Sequence, residues 1–488
     1  MDLKEQKIED IRKQLGAIIE NIEQSALQKA KLHEVELNVF KSLLQLGLHL
    51  LNYYIYTVSE LVKLEGIPKD REGKQMKHSG NYTRPYRSVF GELGIKRPKY
   101  YSAKDKTNYV LDKRLGLPSG KYSYILSDWL SYGAVDLDYA ESVRFMERIL
   151  GQKLRGEQSR RQTYHLSKEV ASYYEAKEWA QEEQGNHLSV GFDGKGVPII
   201  RMETDRAKES VGARLGRGKK KGVKKEATVS VSSTFSPRTR TSSEILDSLF
   251  KVKDNEQLVA PKKRHKWHEN KHTRAFLSAK EKAINYGLDN VLKRDASNNK
   301  PIIVLIDGDR GLRNGVQKIA KSKGIEDRIK AYILDFIHVL EYIWKVANAY
   351  KGEKSEEREE WVKQQALLLL EGKVEQVIKE WEKISKLKKY SVSQAYNIQR
   401  GITYFTNHKD MMKYNQYLAT GYPITTGAIE SACGHFVKSR MERNAMHWGK
   451  KGAQEMLNIR AIKKNGDWDD YTTKFIIKEQ YELYNMAA

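Results

Sequence analysis

Two short apolar runs, each closing on an aspartate, constrain this chain more than any other feature: Leu188-Ser189-Val190-Gly191-Phe192-Asp193 and Ile302-Ile303-Val304-Leu305-Ile306-Asp307. Both are rich in apolar and β-branched residues and bounded by Gly, Pro or Asn, the pattern of strands buried on both faces of a sheet. A carboxylate that closes such a strand leaves the core at the sheet edge, where open α/β folds bind their ligands. A third acid, Glu430, lies in Gly427-Ala428-Ile429-Glu430-Ser431, which opens a helical pattern near the C-terminus. Two strand-end aspartates and a helix glutamate offer hard oxygen ligands for two divalent cations, as phosphodiester chemistry needs. For either aspartate alone a turn residue is the plainer reading, because Asp-Gly is a common turn dipeptide.

Charge points to the same kind of partner. The chain carries 87 Lys and Arg against 63 Asp and Glu, a net +24, and such an excess fits a polyanion, most often nucleic acid. The excess is uneven: between Arg201 and Arg274 there are 20 basic and 9 acidic residues. Cys433 is the only cysteine, which excludes an intrachain disulfide and a multi-cysteine zinc site and suits a reducing cytosol. The first seven residues mix charges and lack the apolar stretch of a signal peptide. The most apolar segment, 39–58, is broken by Lys41, Gln45, His49 and Asn52, so no membrane span is expected. A cytoplasmic, nucleoid-associated place is the corresponding expectation.

Periodicity divides the chain. Ile8, Ile11, Leu15, Ile18 and Ile22 predict one helix and Val35, Val39, Leu43, Leu46 and Leu50 a second, with a polar linker over 66–81, so that 1–81 forms an N-terminal helical region. Residues 82–185 read as a DNA-binding region. A basic hairpin over 86–97, containing Arg97, is expected to face a phosphate backbone. Asp138 and Glu141 resemble a capping box for a helix carrying Val143, Met146 and Leu150, which Gly151 stops. Ser159 then reads as the cap of a further helix with Arg160, Arg161, Gln162 and Thr163 in its first turn. This is a helix-turn-helix pattern, with an ordinary helical hairpin as the alternative.

The sheet is expected to start at residue 186. Runs 188–193 and 197–202 flank Gly194-Lys195-Gly196 and predict a hairpin, and 227–235 a third strand. Helix 278–292, strand 302–307, helix 312–323 and strand 331–335 follow. That order is the order of a ribonuclease H-like domain, with Asp193 on its first strand and Asp307 on its fourth. Between strands, the Gly-rich run 214–221 with Lys219, Lys220 and Lys221 lacks the Gly-Lys-Ser/Thr of a nucleotide P-loop. It reads as a loop that contacts phosphate, or as a plain solvated loop. The run 262–268 interleaves basic and aromatic residues as nucleic-acid surfaces do. His265, His268 and His272 would share a helix face, but the surrounding Lys and Arg oppose a cation, and zinc is not expected there. The domain (186–345) is interrupted by a helical insertion (346–415), resumes over 416–470 with Glu430, and leaves a tail at 471–488.

The C-terminal residues carry a specific resemblance. Gly421-Tyr422-Pro423-Ile424-Thr425-Thr426-Gly427-Ala428-Ile429-Glu430 continues through Ser431-Ala432-Cys433-Gly434-His435-Phe436 and Lys438-Ser439-Arg440-Met441-Glu442-Arg443 to His447-Trp448 and Gly452-Ala453-Gln454. This stretch resembles the signature of bacterial insertion-sequence DDE transposases of the Kra group. Asp335-Phe336-Ile337-His338 resembles the Asp/Cys-x-x-His signature of transposases with a helical insertion, and Val89-Phe90-Gly91 with Arg97-Pro98 the group's N-terminal region.

The resemblance implies an α/β fold: a ribonuclease H-like catalytic domain with a helical insertion, plus an N-terminal helical and helix-turn-helix DNA-binding region. It implies DNA cleavage and strand transfer with two Mg2+ or Mn2+ ions held by Asp193, Asp307 and Glu430. The partners would be the terminal inverted repeats of the element, target DNA, and further copies of the chain in a homodimer or larger assembly. Read from the residues alone, Asp309 and Asp335 compete with Asp307, which is preferred because it directly ends the apolar run. Glu442, twelve residues past Glu430, falls about 120° away on a helix and cannot share its face. His338 either orders a scissile phosphate or caps and packs its helix. Lys438, Arg440 and Arg443 either hold flanking phosphates or form a solvated face, and Trp448 either stacks on a base or packs inside. A ribonuclease H-like nuclease without strand transfer, or an inactive DNA-binding derivative of a transposase, are the other readings.

Overall fold

Helical spacing at the N-terminus produces two long helices, α1 (Leu3–Leu27) and α2 (Leu32–Leu64), tied side by side by Gln14 to Gln45 at 3.2 Å and Lys7 to Asn52 at 3.1 Å. The computed structural model describes residues 2–103, 108–180, 184–200, 223–250, 268–277, 280–353, 355–387, 389–425, 431–443 and 446–484. The chain divides into two units, residues 1–173 with 466–488, and residues 174–465. Among the described residues no helix is long and apolar enough to cross a membrane.

In the first unit, α1 buries only Ile18 among its described residues, and Leu15, Ile19 and Ile22 stay exposed. The hairpin expected over 86–97 is longer and starts inside the expected linker: β1 (Lys77–Ser88) pairs antiparallel with β2 (Gly91–Tyr101) across a two-residue turn. The turn is pinned by Phe90, whose ring lies over Gly47 of α2, where a Cβ would come within 2.6 Å of it. Helices α3 (Val110–Leu115), α4 (Tyr124–Ala134), α5 (Tyr139–Leu150), α6 (Gly156–Leu166) and α7 (Val170–Ala176) follow. Val89, Leu126, Leu130, Val143, Met146 and Leu150 form one core of this unit. The Asp138–Glu141 capping box is present, with the Glu141 N–H donating to Asp138 at 2.7 Å, and Gly151 ends α5 at φ +66°. The expected cap Ser159 is corrected. α6 begins four residues earlier, capped at Arg155, where Gln158 accepts from the Arg155 N–H at 3.2 Å, and Ser159 is buried against the Leu130 carbonyl at 3.4 Å.

The second unit is mixed α/β around a five-stranded sheet. Its strands are β3 (His187–Ile199), β4 (Val223–Phe235), β5 (Glu269–Phe276), β6 (Ile302–Ile306) and β7 (Ile329–Leu334), in the order β5-β4-β3-β6-β7. The first three are antiparallel neighbours, and β6 and β7 continue the sheet parallel to β3. Here the predicted hairpin over 188–202 is overturned, because β3 runs straight through Gly194-Lys195-Gly196. Neither glycine has a positive φ, and both pair with β4 (Gly194↔Thr228, Gly196↔Glu226). Their missing side chains make room for those of Glu226 and Lys224, which a Cβ would meet at 2.7 and 2.9 Å.

The expected helix face of His265, His268 and His272 is also overturned. His272 lies in β5, His268 just before it, and His265 falls outside the described residues. Helix α8 (Ser242–Leu249) precedes β5. Helix α9 (Lys280–Leu292) lies on the sheet at Gly287, where a Cβ would meet Phe192 at 2.9 Å. Helix α10 (Arg310–Ser322) connects β6 to β7. After α11 (Phe336–Lys351), helices α12 (Glu357–Leu370), α13 (Val374–Leu387), α14 (Val392–His408) and α15 (Tyr414–Ala419) form a helical stretch. A π-helical turn (Ala432–Lys438) and α16 (Lys450–Lys464) complete this unit, and α17 (Trp468–Tyr484) belongs to the first.

Candidate active site

Strand pairing brings the two aspartates together. β3 and β6 run parallel through Phe192↔Ile306, so the next residue on each strand, Asp193 and Asp307, stands side by side with the other where that pairing ends. Asp193 is thus not at a strand end as expected, since β3 continues along β4, but it is at the end of the parallel contact. Burial pushes the Asp307 carboxyl above the ordinary aspartate value; the Asp309 N–H donating at 3.0 Å works against this, and the charge of Asp193 adds to the rise. The competing acids are used elsewhere. Asp309 caps α10 through the Leu312 N–H at 2.9 Å and pairs with Lys280 at 2.5 Å. Asp335 is buried and caps α11 through the Ile337 N–H at 2.9 Å. Glu442 pairs with Lys224.

Several residues hold this pair that spacing did not reveal. The Tyr404 hydroxyl donates to the Asp307 carbonyl at 2.7 Å, and His408 lies 2.9 Å from the Gly308 carbonyl, both from α14. Gly308 turns at φ +93°, and a Cβ there would sit 2.6 Å from the Tyr404 hydroxyl. The Cys433 thiol, in the π-helical turn after Glu430, hydrogen-bonds to Asp193; burial, then the Asp193 charge, push it up so that it stays a thiol. Buried Arg460 of α16 fastens that turn, donating to the Phe436 carbonyl at 2.7 Å and the His435 carbonyl at 2.6 Å. His338 lies on α11 with its ring 6.1 Å from Tyr404, and the helix cap is Asp335, not His338.

The remaining expected residues separate into exposed and buried. On α6, Arg160 is half-buried and Arg161 exposed, and both share Glu157, at 2.6 and 3.0 Å, which draws that carboxyl down to about 2. Gln162 accepts from the Ser127 hydroxyl at 2.9 Å, and Thr163 is fully buried, bonding to the Ser159 carbonyl at 2.8 Å. Starting α6 earlier turns Thr163 inward, so it cannot meet DNA. Arg97 is likewise turned in: it pairs with Asp112, which also binds Arg84 at 2.8 Å, and covers the Tyr109 ring at 3.7 Å. Lys438 is exposed and Arg443 half-buried. Arg440 is fully buried over the Trp448 ring at 4.9 Å, and Trp448 is packed, donating to the Met441 carbonyl at 2.9 Å. The π-helical turn shifts the face that ordinary helical spacing predicts, which takes Arg440 into the core. Glu430 and the loop lysines Lys219, Lys220 and Lys221 lie outside the described residues.

Among the described residues no group of three His, Cys, Asp or Glu side chains is placed to hold a metal. Asp193 and Asp307 do fit one half of a hard-cation site. Their carboxylates are oxygen ligands, and the repulsion between two close acids favours a divalent cation between them. No protein-family model matches the chain, and no curated protein matches it significantly.

Proposed function

We propose that the chain is a DDE transposase of the insertion-sequence type, which binds the ends of its element and carries out metal-dependent DNA cleavage and strand transfer. The observation that carries this reading is the juxtaposition of Asp193 and Asp307 at the point where two parallel strands cease to pair. The strand order, an antiparallel meander of β3, β4 and β5 with β6 and β7 parallel beyond β3, supports a ribonuclease H-like domain. Glu430, just ahead of the turn that brings Cys433 to Asp193, completes the ligand set in this reading. Two Mg2+ or Mn2+ ions bound there supply activation of the attacking oxygen and stabilisation of the leaving one. Tyr404 and His408 hold the Asp307 loop, and Arg460 orders the turn behind Glu430. Helices α5 and α6 serve as the helix-turn-helix part, with Arg160 and Arg161 as the cations that exchange Glu157 for phosphate or a base edge. The DNA partners are the terminal inverted repeats and the target, bound by a homodimer or larger assembly at the nucleoid.

The test is a nicking and joining assay on DNA carrying the inverted repeats that flank the gene, with Mg2+ or Mn2+ and with chelator. The parent protein is expected to nick at the element ends and give joined products only with metal. Asp193→Asn, Asp307→Asn and Glu430→Gln are expected to lose both products while still binding the ends. Nicking without joining would make the chain a nuclease, and end binding without nicking a DNA-binding derivative. Full activity in any one of the three variants removes that residue from the site.

A further inference from the structure

Four cations from three stretches of the first unit line one groove of about 790 Å³: Arg87 near the end of β1, Lys121 just before α4, and Lys153 and Arg155 in the turn between α5 and α6. Backbone hydrogen bonds fix their places. The Arg87 N–H donates to the Lys121 carbonyl at 2.7 Å and the Ser123 N–H to the Arg87 carbonyl at 2.8 Å, so the first two cations stand on adjoining lengths of chain. The turn is held to the hairpin by Gln152, whose Nε2 donates to the carbonyls of Ser88 and Val89 at 3.0 and 2.9 Å. From there the chain enters α6 extended, with Arg155 at φ −129° and ψ 141°. Leu154 is buried in the core, and alternation along an extended chain turns Lys153 and Arg155 outward, where both are exposed. Among the described residues none of the four cations makes an ion pair. The one acid in the lining, Glu147, is engaged by the backbone, its Oε1 accepting from the Leu154 N–H at 2.7 Å. Four positive charges therefore face one negative.

The lining selects the ligand. Leu154 is its only apolar side chain, whereas sites for small organic molecules are lined mainly by apolar and aromatic groups. No aromatic ring lines it, so an unpaired base has nothing to stack on, and single-strand binders join a basic groove to such rings. The volume is many times the roughly 30 Å³ of one water molecule, far more room than a lone phosphate fills. Four cations on three stretches of chain match a run of phosphates along a backbone, where each contact releases condensed counterions. Arg155 and Gln158 open the groove onto the first turn of α6. We infer, resting on the DNA-binding reading above and not on the catalytic one, that this groove holds the sugar–phosphate backbone of duplex DNA through Arg87, Lys121, Lys153 and Arg155. Such contacts set the register of α6 on the duplex without reading its sequence.

The experiment is fluorescence anisotropy of the full chain on a random-sequence duplex and on a duplex carrying the element ends, across a range of salt. Replacing Lys121, Lys153 and Arg155 together by alanine is expected to lower the salt slope on both duplexes by up to about 2.7, three contacts at 0.9 each, with the ratio of the two affinities unchanged. The charge-keeping triple, Lys121→Arg, Lys153→Arg and Arg155→Lys, is expected to keep the parent slope. So is a control of equal charge loss, Lys4→Ala, Lys13→Ala and Lys41→Ala, at exposed positions of α1 and α2. In the parent chain, duplex DNA is expected to shield the Lys121 and Lys153 amines from acetylation and to leave Lys13 reactive, a readout that needs no variant. A parent slope in the alanine triple, an equal fall in the control, or unshielded Lys121 and Lys153 would each overturn the assignment. A parent chain that binds no duplex removes both this groove and the DNA-binding reading, whereas binding without metal-dependent nicking removes the catalytic reading alone.

Discussion

At the carbonyl of Asp307 the Tyr404 hydroxyl donates a 2.7 Å hydrogen bond, from a ring stacked on Tyr342 at 3.9 Å. The stacking fixes the ring, the hydroxyl fixes the carbonyl, and Gly308 accepts the positive φ that turns the chain away. Tyr404→Phe keeps the stack and removes only the donor, so a stability loss of about 0.5–1.5 kcal/mol is expected. If Tyr404 positions Asp307, metal-dependent nicking should slow several-fold while DNA affinity stays at the parent value. Single-turnover nicking beside a binding titration checks this, and an unchanged rate would make the tyrosine a packing residue only. Asp193 and Asp307 could be picked out of the sequence because each closes an apolar run. Tyr404 and His408 could not, because their partners lie 97 and 100 residues away in the chain. Arg97 and Arg440 show the opposite failure. Their charge suggested phosphate, yet Asp112 and the Trp448 ring hold them inside.

Elements announced by apolar residues, or by alternation as in β4, were readable, and β5 was not. β6 is a buried aliphatic run, β7 buries Ala331, Ile333 and Leu334, and the Asp138 cap carries its own local chemistry, so all three appear close to where expected. β5 was missed because its buried residues are His272, Thr273, Arg274 and Ala275, which show no apolar alternation. They are accommodated by polar partners: His272 lies 2.7 Å from the Tyr286 hydroxyl, and Asn465 bonds both the N–H and the carbonyl of Thr273, at 2.9 and 3.0 Å. The burial has a consequence for pH. Desolvation lowers His268 to about 4 and His272 well below the ordinary 6.5, so the folded state resists protonating either. With folded values depressed, their contribution is complete above about 6.5 and declines as pH falls below it, for His268 down to about 4, by at most about 1.4 kcal/mol per pH unit for each histidine. Melting temperature measured from pH 7.5 to 4.5 should therefore fall more steeply in the parent than in His268→Gln, which cannot gain the proton. Parallel curves would show that His268 is protonated equally in both states.

Over the whole molecule, the net charge of +24 is the property most directly tied to a polyanionic partner, and it is concentrated between Arg201 and Arg274. Each phosphate neutralised on duplex DNA releases condensed counterions, so the logarithm of the binding constant should fall against the logarithm of salt by about 0.9 per contact. Phosphate contacts position a protein without reading sequence, whereas contacts at base edges discriminate. Those two roles are expected to fall on different parts of this chain. The pair Arg160 and Arg161 on α6 is suited to base edges, and the cluster Lys219, Lys220 and Lys221 to phosphate alone. Replacing the three lysines together by alanine should reduce the salt slope by up to about 2.7, three contacts at 0.9 each. The ratio of affinity for element ends to affinity for random DNA should stay at the parent value. Filter binding or fluorescence anisotropy from 50 to 300 mM salt, on both DNAs, separates the outcomes. A slope unchanged by the triple replacement would show that these lysines do not touch phosphate. A flattened slope with a lost preference for the ends would assign sequence reading to the same segment, and would remove from α6 the role proposed for Arg160 and Arg161.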